Sequence, residues 1–194
     1  MNIGIFIYDQ AEVLDFSGPF EVFSTASRVC TPGEPFYVFM VSETGTTITA
    51  RGGYRVNPTF GFHNHPPIDV LIVVGGVHTQ VLHQQPVLTW IAAQARTAKL
   101  VASVCTGAFL LAAADVLTNH QVTTHWQDIP ELRSNYPHLT VQESKRWVDT
   151  GKIVTSGGIS AGIDMSLHLV SRLHSPALAE QTARQMEFAW VQNR

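Results

Sequence analysis

The chain has little that could cross-link it or hold a metal. Only two cysteines occur in 194 residues, Cys30 and Cys105. They could form at most one bridge, and their local contexts differ so much that two free thiols in a reducing compartment are expected. Charge is scarce as well: Asp, Glu, Lys and Arg make up 14% of the chain, the formal net charge is −3, and the basic residues are scattered. Such a surface has no electrostatic footprint for nucleic acid or an anionic membrane, which leaves small neutral molecules as the expected partners. No apolar run approaches the roughly 20 residues that span a bilayer. The opening MNIGIFIYDQ lacks a basic start and a small-residue cleavage site, so a cytoplasmic protein is expected. Nine histidines raise the question of a metal, but neither HExxH nor paired CxxC accompanies them. The HNH run at 63–65 leads into Pro66-Pro67 and reads as a surface loop. No metal and no cofactor are expected.

Short apolar runs alternate with helical patterns along the chain. NIGIFI (2–7), FYVFMVS (36–42), DVLIVVGG (69–76) and KLVASV (99–104) are rich in β-branched and aromatic residues and predict buried strands. Helical periodicity marks 13–28, 86–98, 106–117, 161–174 and 176–192. The alternation implies an α/β protein with a mainly parallel sheet and helices on both faces. With no repeat or low-complexity tract, residues 1–194 predict one domain. The low charge content suggests that much of the surface is covered, either by packing or by a partner subunit. TITARGGYRVNPTFGF and QESKRWVDTGKIVTSGG break the rhythm and predict hairpins, the second turning at Asp149-Thr150-Gly151, each as an insertion or edge ribbon.

Cys105 closes a predicted strand and opens a predicted helix. Ser103-Val104-Cys105-Thr106-Gly107 has the small-x-nucleophile-x-small form of a nucleophile elbow, a tight turn that leaves no space for side chains two residues either side. At the first turn of a helix, free N–H groups and the dipole favour a thiolate, so a lowered pKa is expected there. The competing reading is a buried cysteine packing as a small apolar group. Cys30 ends a helical segment before Thr31-Pro32-Gly33 and is expected to be structural.

A nucleophilic thiol needs a group that can move its proton, and Thr106 excludes a histidine directly after it. Asp15 interrupts the apolar stretch EVLDFSGPFEVF, and its neighbours Leu14 and Phe16 argue for partial burial. Two roles stand for it. It could cap a helix started by Pro19, which Ser17 could do equally well. Alternatively, a desolvated carboxyl with a raised pKa could carry a proton at neutral pH. Two adjacent anions repel, so the second role requires Asp15 to be protonated or to share one proton with the sulfur.

LDFSGPFEVF, VVGG, SVCTGAFLLAAADVLT, TTHW and TSGGISAGIDMSLHLV together resemble the ThiJ/PfpI superfamily, within the class I glutamine amidotransferase-like fold. These motifs run from Asp15 to Val170, most of the chain. LDFSGP, SVCTG and GGISAGID are most similar to isonitrile hydratases and to the amino-terminal domains of AraC-type transcription regulators. The resemblance implies a flavodoxin-like three-layer sandwich and a homodimer with its active site near the interface. It also implies Cys105 as nucleophile, Asp15 as acid/base and Thr106 beside the cysteine. Gly157 and Ile159 match a loop that approaches the cysteine sulfur, and Gly75-Gly76 match a loop that helps form an oxyanion hole, a role extended here to Gly76. Tight turns are the alternative for both glycine pairs.

The expected activity is a cysteine-dependent hydration of an isonitrile to an N-substituted formamide. The alternative is a small-molecule or redox sensing module. A histidine directly after the cysteine, common in the protease and deglycase branches, is absent, as is the downstream His-x-Glu of glutaminases. His125 in TTHW could line the site, although a structural role is the expectation for it.

Overall fold

The computed structural model describes residues 1–192, so the last two of the 194 assigned to one domain lie outside the described residues. Six strands form the central sheet: β1 (Asn2–Phe6), β2 (Tyr37–Val41), β5 (Val70–Val73), β6 (Leu100–Val104), β9 (Trp147–Asp149) and β10 (Ile153–Ser156). Their order is β2-β1-β5-β6-β10-β9. Every pairing is parallel except the antiparallel edge pair of β9 and β10. All of β5 and β6 is buried, as parallel strands covered on both faces must be, which is why they read as unbroken apolar runs. Two small sheets lie outside this one, the antiparallel β3 (Ile48–Thr49) with β4 (Arg55–Val56), and the parallel β7 (Gln121–Val122) with β8 (Thr140–Val141).

The helices are α1 (Val13–Val29), α2 (Gln85–Thr97), α3 (Gly107–Ala113), α4 (Ile129–Asn135), α5 (Ala161–Leu173) and α6 (Pro176–Gln185). Helices α1, α5 and α6 pack together as one group, and α2 packs on α3. The result is the flavodoxin-like α/β sandwich. No helix among the described residues is long and apolar enough to cross a membrane.

Several local expectations need correction. Pro19 does not start α1 but lies inside it, six residues after its first position. Asp15 therefore sits in the first turn rather than ahead of the helix. Helix α3 ends at Ala113, short of Leu117, because Asp115 takes the left-handed region (φ 55°) and the Val116 amide closes back onto the Leu111 carbonyl at 2.9 Å. Helix α6 stops at Gln185 in the same way, with Glu187 at φ 50° and the Phe188 amide on the Ala183 carbonyl at 2.9 Å. Beyond it the chain crosses to α5, where the Trp190 indole N–H donates to the Asp164 carbonyl at 3.2 Å. The second hairpin does turn at Asp149–Gly151, but it is no appendage, since its arm β10 is an interior strand paired with β6. Helix α4 and the β7–β8 pair carry no clear sequence signal, being only seven and two residues long per element.

Candidate active site

Strands β1, β5, β6 and β10 lie side by side and parallel, so their carboxyl ends open on one edge, where open α/β sheets bind ligands. Cys105 follows β6 directly and takes φ 57°, a left-handed conformation that costs a non-glycine residue about 1 kcal/mol. Tertiary contacts hold it there. The Cys105 amide donates to the Gly157 carbonyl at 3.2 Å, and the Thr124 hydroxyl donates to the Cys105 carbonyl at 2.8 Å. Gly107 meets the steric demand of the elbow, because a Cβ there would stand 2.1 Å from the Val73 carbonyl oxygen.

Asp15 is fully buried and does not cap its helix. Its Oδ2 accepts the Gly75 amide and its Oδ1 accepts the Ile159 amide, each at 3.1 Å. Residues from α1, the turn after β5 and the turn after β10 thus converge on one carboxyl group. Burial, and secondarily the nearby Glu12 charge, push its pKa up to about 7, against the lowering effect of the two amides and of a side-chain hydrogen bond with Cys105.

The thiol differs from the sequence expectation. The Thr106 amide donates to the sulfur and favours the thiolate, but burial and the neighbouring Asp15 charge outweigh it and push Cys105 well above the ordinary thiol range. The position ahead of the seven-residue α3 does not lower the thiol pKa, because desolvation and the Asp15 charge dominate. The resting thiol is protonated, with a hydrogen-bonded carboxyl beside it that titrates near neutrality. Tyr8 is a third ionisable group close to the pair. Burial, and then the charges of Asp15 and Cys105, raise its pKa, and its hydroxyl has no hydrogen-bond partner among the described residues.

The two glycine loops meet the site through backbone groups, the Gly157 loop at Cys105 and the Gly75-Gly76 loop at Asp15 and Thr106. The Gly76 amide donates to Thr106 Oγ1 at 3.0 Å, and the Thr106 hydroxyl donates back to the Gly76 carbonyl at 3.1 Å. That amide is therefore engaged and is not a free oxyanion donor. Both positions demand glycine: at Gly75 a Cβ would lie 2.5 Å from the Thr106 nitrogen and 2.9 Å from Asp15 Oδ2, and at Gly76, with φ 145°, it would lie 2.4 Å from the Gln10 carbonyl oxygen. The Gly157 amide donates to the Arg146 carbonyl at 2.9 Å, which leaves its own carbonyl to hold Cys105. Ile159 sits at φ 56° and serves the acid through its amide, with its side chain partly exposed.

Cys105, Thr106, Gly76, Ile159 and His125 all line one cavity of about 350 Å³. His125 Nδ1 lies 3.1 Å from Asp128 Oδ2, and its ring packs where a Cβ on Gly158 would intrude at 2.2 Å. An ion pair of Arg51 with Glu12 at 3.1 Å stands on another wall. Among the described residues no group of three or more His, Cys, Asp or Glu is arranged to hold a metal ion. Sequence reasoning missed Thr124 and Gly158, and it matched Gly75 to a loop without foreseeing its bond to Asp15. The TTHW motif drew attention to its histidine, while its second threonine braces the elbow. Cys30, expected to be structural, lies on a different part of the surface with its sulfur 3.7 Å from His174 Nε2.

The chain is similar to known proteins over nearly its whole length. The chain is 32% identical over 190 residues to the isonitrile hydratase of Pseudomonas putida, covering 97% of this chain and 79% of that protein. It is 27% identical over 193 residues to the HTH-type transcriptional regulator GbdR of Pseudomonas aeruginosa, covering 99% of this chain but only 52% of the regulator, about half its length. A crystal structure of a ThiJ/PfpI family protein from Pseudomonas syringae superposes with a TM-score of 0.86 at 24% identity, over 100% of this chain and 77% of that one. With residues 1–172 matching the family as a whole, the chain belongs to the DJ-1/PfpI family.

Proposed function

We propose that the protein hydrates an organic isonitrile to an N-substituted formamide through Cys105 and Asp15. One observation carries the reading: a fully buried carboxyl, titrating at about pH 7, hydrogen-bonds to a thiol held in a left-handed elbow on a cavity wall. A general acid/base works best when its pKa lies near the working pH. The Asp15 carboxylate takes the thiol proton as the sulfur bonds to the terminal isonitrile carbon. Protonated Asp15 then delivers that proton to the same carbon, which leaves a thioimidate, R–N=CH–S–Cys105. Water adds to this carbon with Asp15 as base, and the carbon–sulfur bond breaks. The thiol regains a proton and R–NH–CHO departs, so the net change is addition of one water. The similarity to the Pseudomonas putida isonitrile hydratase over nearly the whole chain supports this chemistry. The test is to incubate purified protein with an alkyl isonitrile and follow the formamide by mass spectrometry. Turnover that disappears in Cys105→Ala supports the reading, and turnover that survives it removes the mechanism.

A homodimer belongs to the same proposal. Leu14 and Ile159, next to Asp15 in sequence and through its hydrogen bond respectively, expose apolar side chains beside the pair, and a second copy of the chain would cover them. Sedimentation should give a dimer for the native protein and a monomer for Leu14→Glu; a native monomer would overturn this part.

Similarity to GbdR over 99% of the chain favours a second reading, a ligand-sensing domain. Redox sensing is the weaker form of it, because sensor thiols are readily ionised and Cys105 is pushed the other way. A sensor would bind an isonitrile or another small molecule without releasing formamide.

A further inference from the structure

Arg146 makes no hydrogen bond to Cys105 or Asp15 among the described residues, yet it grips the turn that serves both. Its guanidinium forks onto Oδ2 of Asp164, with Nε at 2.8 Å and Nη2 completing the fork. Asp164 is fully buried in the first turn of α5, and its Oδ1 accepts the Val191 amide at 2.8 Å, so both carboxylate oxygens are engaged. Nη2 of Arg146 also reaches the Ser160 hydroxyl at 3.5 Å. At the other end of the turn, the Arg146 carbonyl accepts the Gly157 amide at 2.9 Å. Residues 157–160 are thus held at both ends by one residue. Between those ends lie the Gly157 carbonyl, which accepts the Cys105 amide, and the Ile159 amide, which donates to Asp15 Oδ1.

We propose that Arg146 is a positioning residue for the Cys105–Asp15 pair: anchored on buried Asp164, it fixes the 157–160 turn so that one backbone carbonyl holds the elbow and one backbone amide holds the acid. A planar fork on a buried carboxylate suits this task, since it sets direction as well as distance, which the single point charge of lysine does not. Ile159 stays at φ 56° only while the surrounding contacts impose it, and release of the anchor lets the turn relax. The Ile159 amide then withdraws from Asp15.

This inference rests on the reading of Cys105 and Asp15 as a coupled pair but needs no isonitrile to test it. In a Cys30→Ser background, the rate of Cys105 alkylation by iodoacetamide is measured across pH. The first rise of that profile follows the loss of the proton shared by thiol and carboxyl. The ionisable groups around the pair, Glu12 ahead of α1 with its partner Arg51, Tyr8 after β1, and His125, Asp128 and Glu131 on the cavity wall, are the same in every variant. Arg146→Gln is expected to move the midpoint upward by about half a pH unit or more, because the carboxylate loses an amide donor. Arg146→Lys should restore part of that shift. An unchanged midpoint in folded Arg146→Gln overturns the proposal, whereas absent formamide with a shifted midpoint overturns only the isonitrile reaction. Should neither variant fold, amide exchange in the native protein decides. A Gly157 and Ile159 pair that exchanges only with global unfolding supports an anchored turn, and fast exchange at Ile159 rules it out.

Discussion

The Ile159 amide donates to Oδ1 of Asp15 at 3.1 Å, joining the turn after β10 to a carboxyl in the first turn of α1. That bond and its Gly75 counterpart stabilise the carboxylate, but burial prevails and the pKa rises from 3.8 to about 7. A carboxyl raised on folding binds its proton more tightly in the native state. Its contribution to stability is complete below the unfolded pKa and is lost as pH climbs through the folded one. A rise of that size corresponds to about 4 kcal/mol of stability, lost between roughly pH 4 and pH 7. Asp15→Asn should flatten that part of the stability–pH curve, measured by urea unfolding at a series of pH values. An unaltered slope would show that Asp15 titrates like an exposed carboxyl.

Strain at the elbow gives a second expectation. Cys105→Gly and Cys105→Ala both remove the thiol, yet only alanine keeps the cost of φ 57°. The glycine variant should be more stable than the alanine variant by a few tenths to about 1 kcal/mol, against the usual ordering in which glycine loses more chain entropy on folding. Denaturant melts of the two variants compare them directly, and a less stable glycine variant would mean that the elbow is unstrained.

At Gly75 the prediction concerns space rather than strain. An added Cβ would press on both the Thr106 nitrogen and Asp15 Oδ2, two backbone-anchored parts of the site. Gly75→Ala should cost about 2 kcal/mol of stability or more, in the manner of overpacked interiors, and should lower formamide formation at least as severely. Gly157→Ala is the contrasting case, since its Cβ would find no atom closer than 3.5 Å. If both variants behaved alike, tight approach at Gly75 would not be the reason for glycine there.

Much of the fold is legible in the sequence because β1, β2, β5 and β6 are short apolar runs with helical patterns between them, and a buried parallel sheet needs that composition. The elbow is legible for a related reason: only small residues fit two positions either side of Cys105, and Gly107 nearly touches Val73. Asp15 stands out as a carboxyl inside an apolar helix. Its pKa environment is less readable, because the amides of Gly75 and Ile159 that bind it come from remote segments. The direction of the Cys105 shift, opposite to the sequence expectation, is hidden for the same cause. A helix terminus can be read from sequence, whereas the depth of burial and the approach of Asp15 arise only when α1 packs against β1, β2 and α5. Arg146 and Thr124 carry no signal at all, since the partners they hold, Asp164 and Gly157 for the one and the Cys105 carbonyl for the other, are remote in sequence.

The proposed chemistry requires Asp15 to exchange a proton near neutrality, as a carboxylate when it takes the thiol proton and as an acid when it returns that proton to carbon. Infrared titration of the carboxyl C=O band, assigned by its loss in Asp15→Asn, measures this without any substrate. A buried carboxylic acid that deprotonates with a midpoint near pH 7 is expected, while a carboxyl already ionised by about pH 5 would contradict the mechanism.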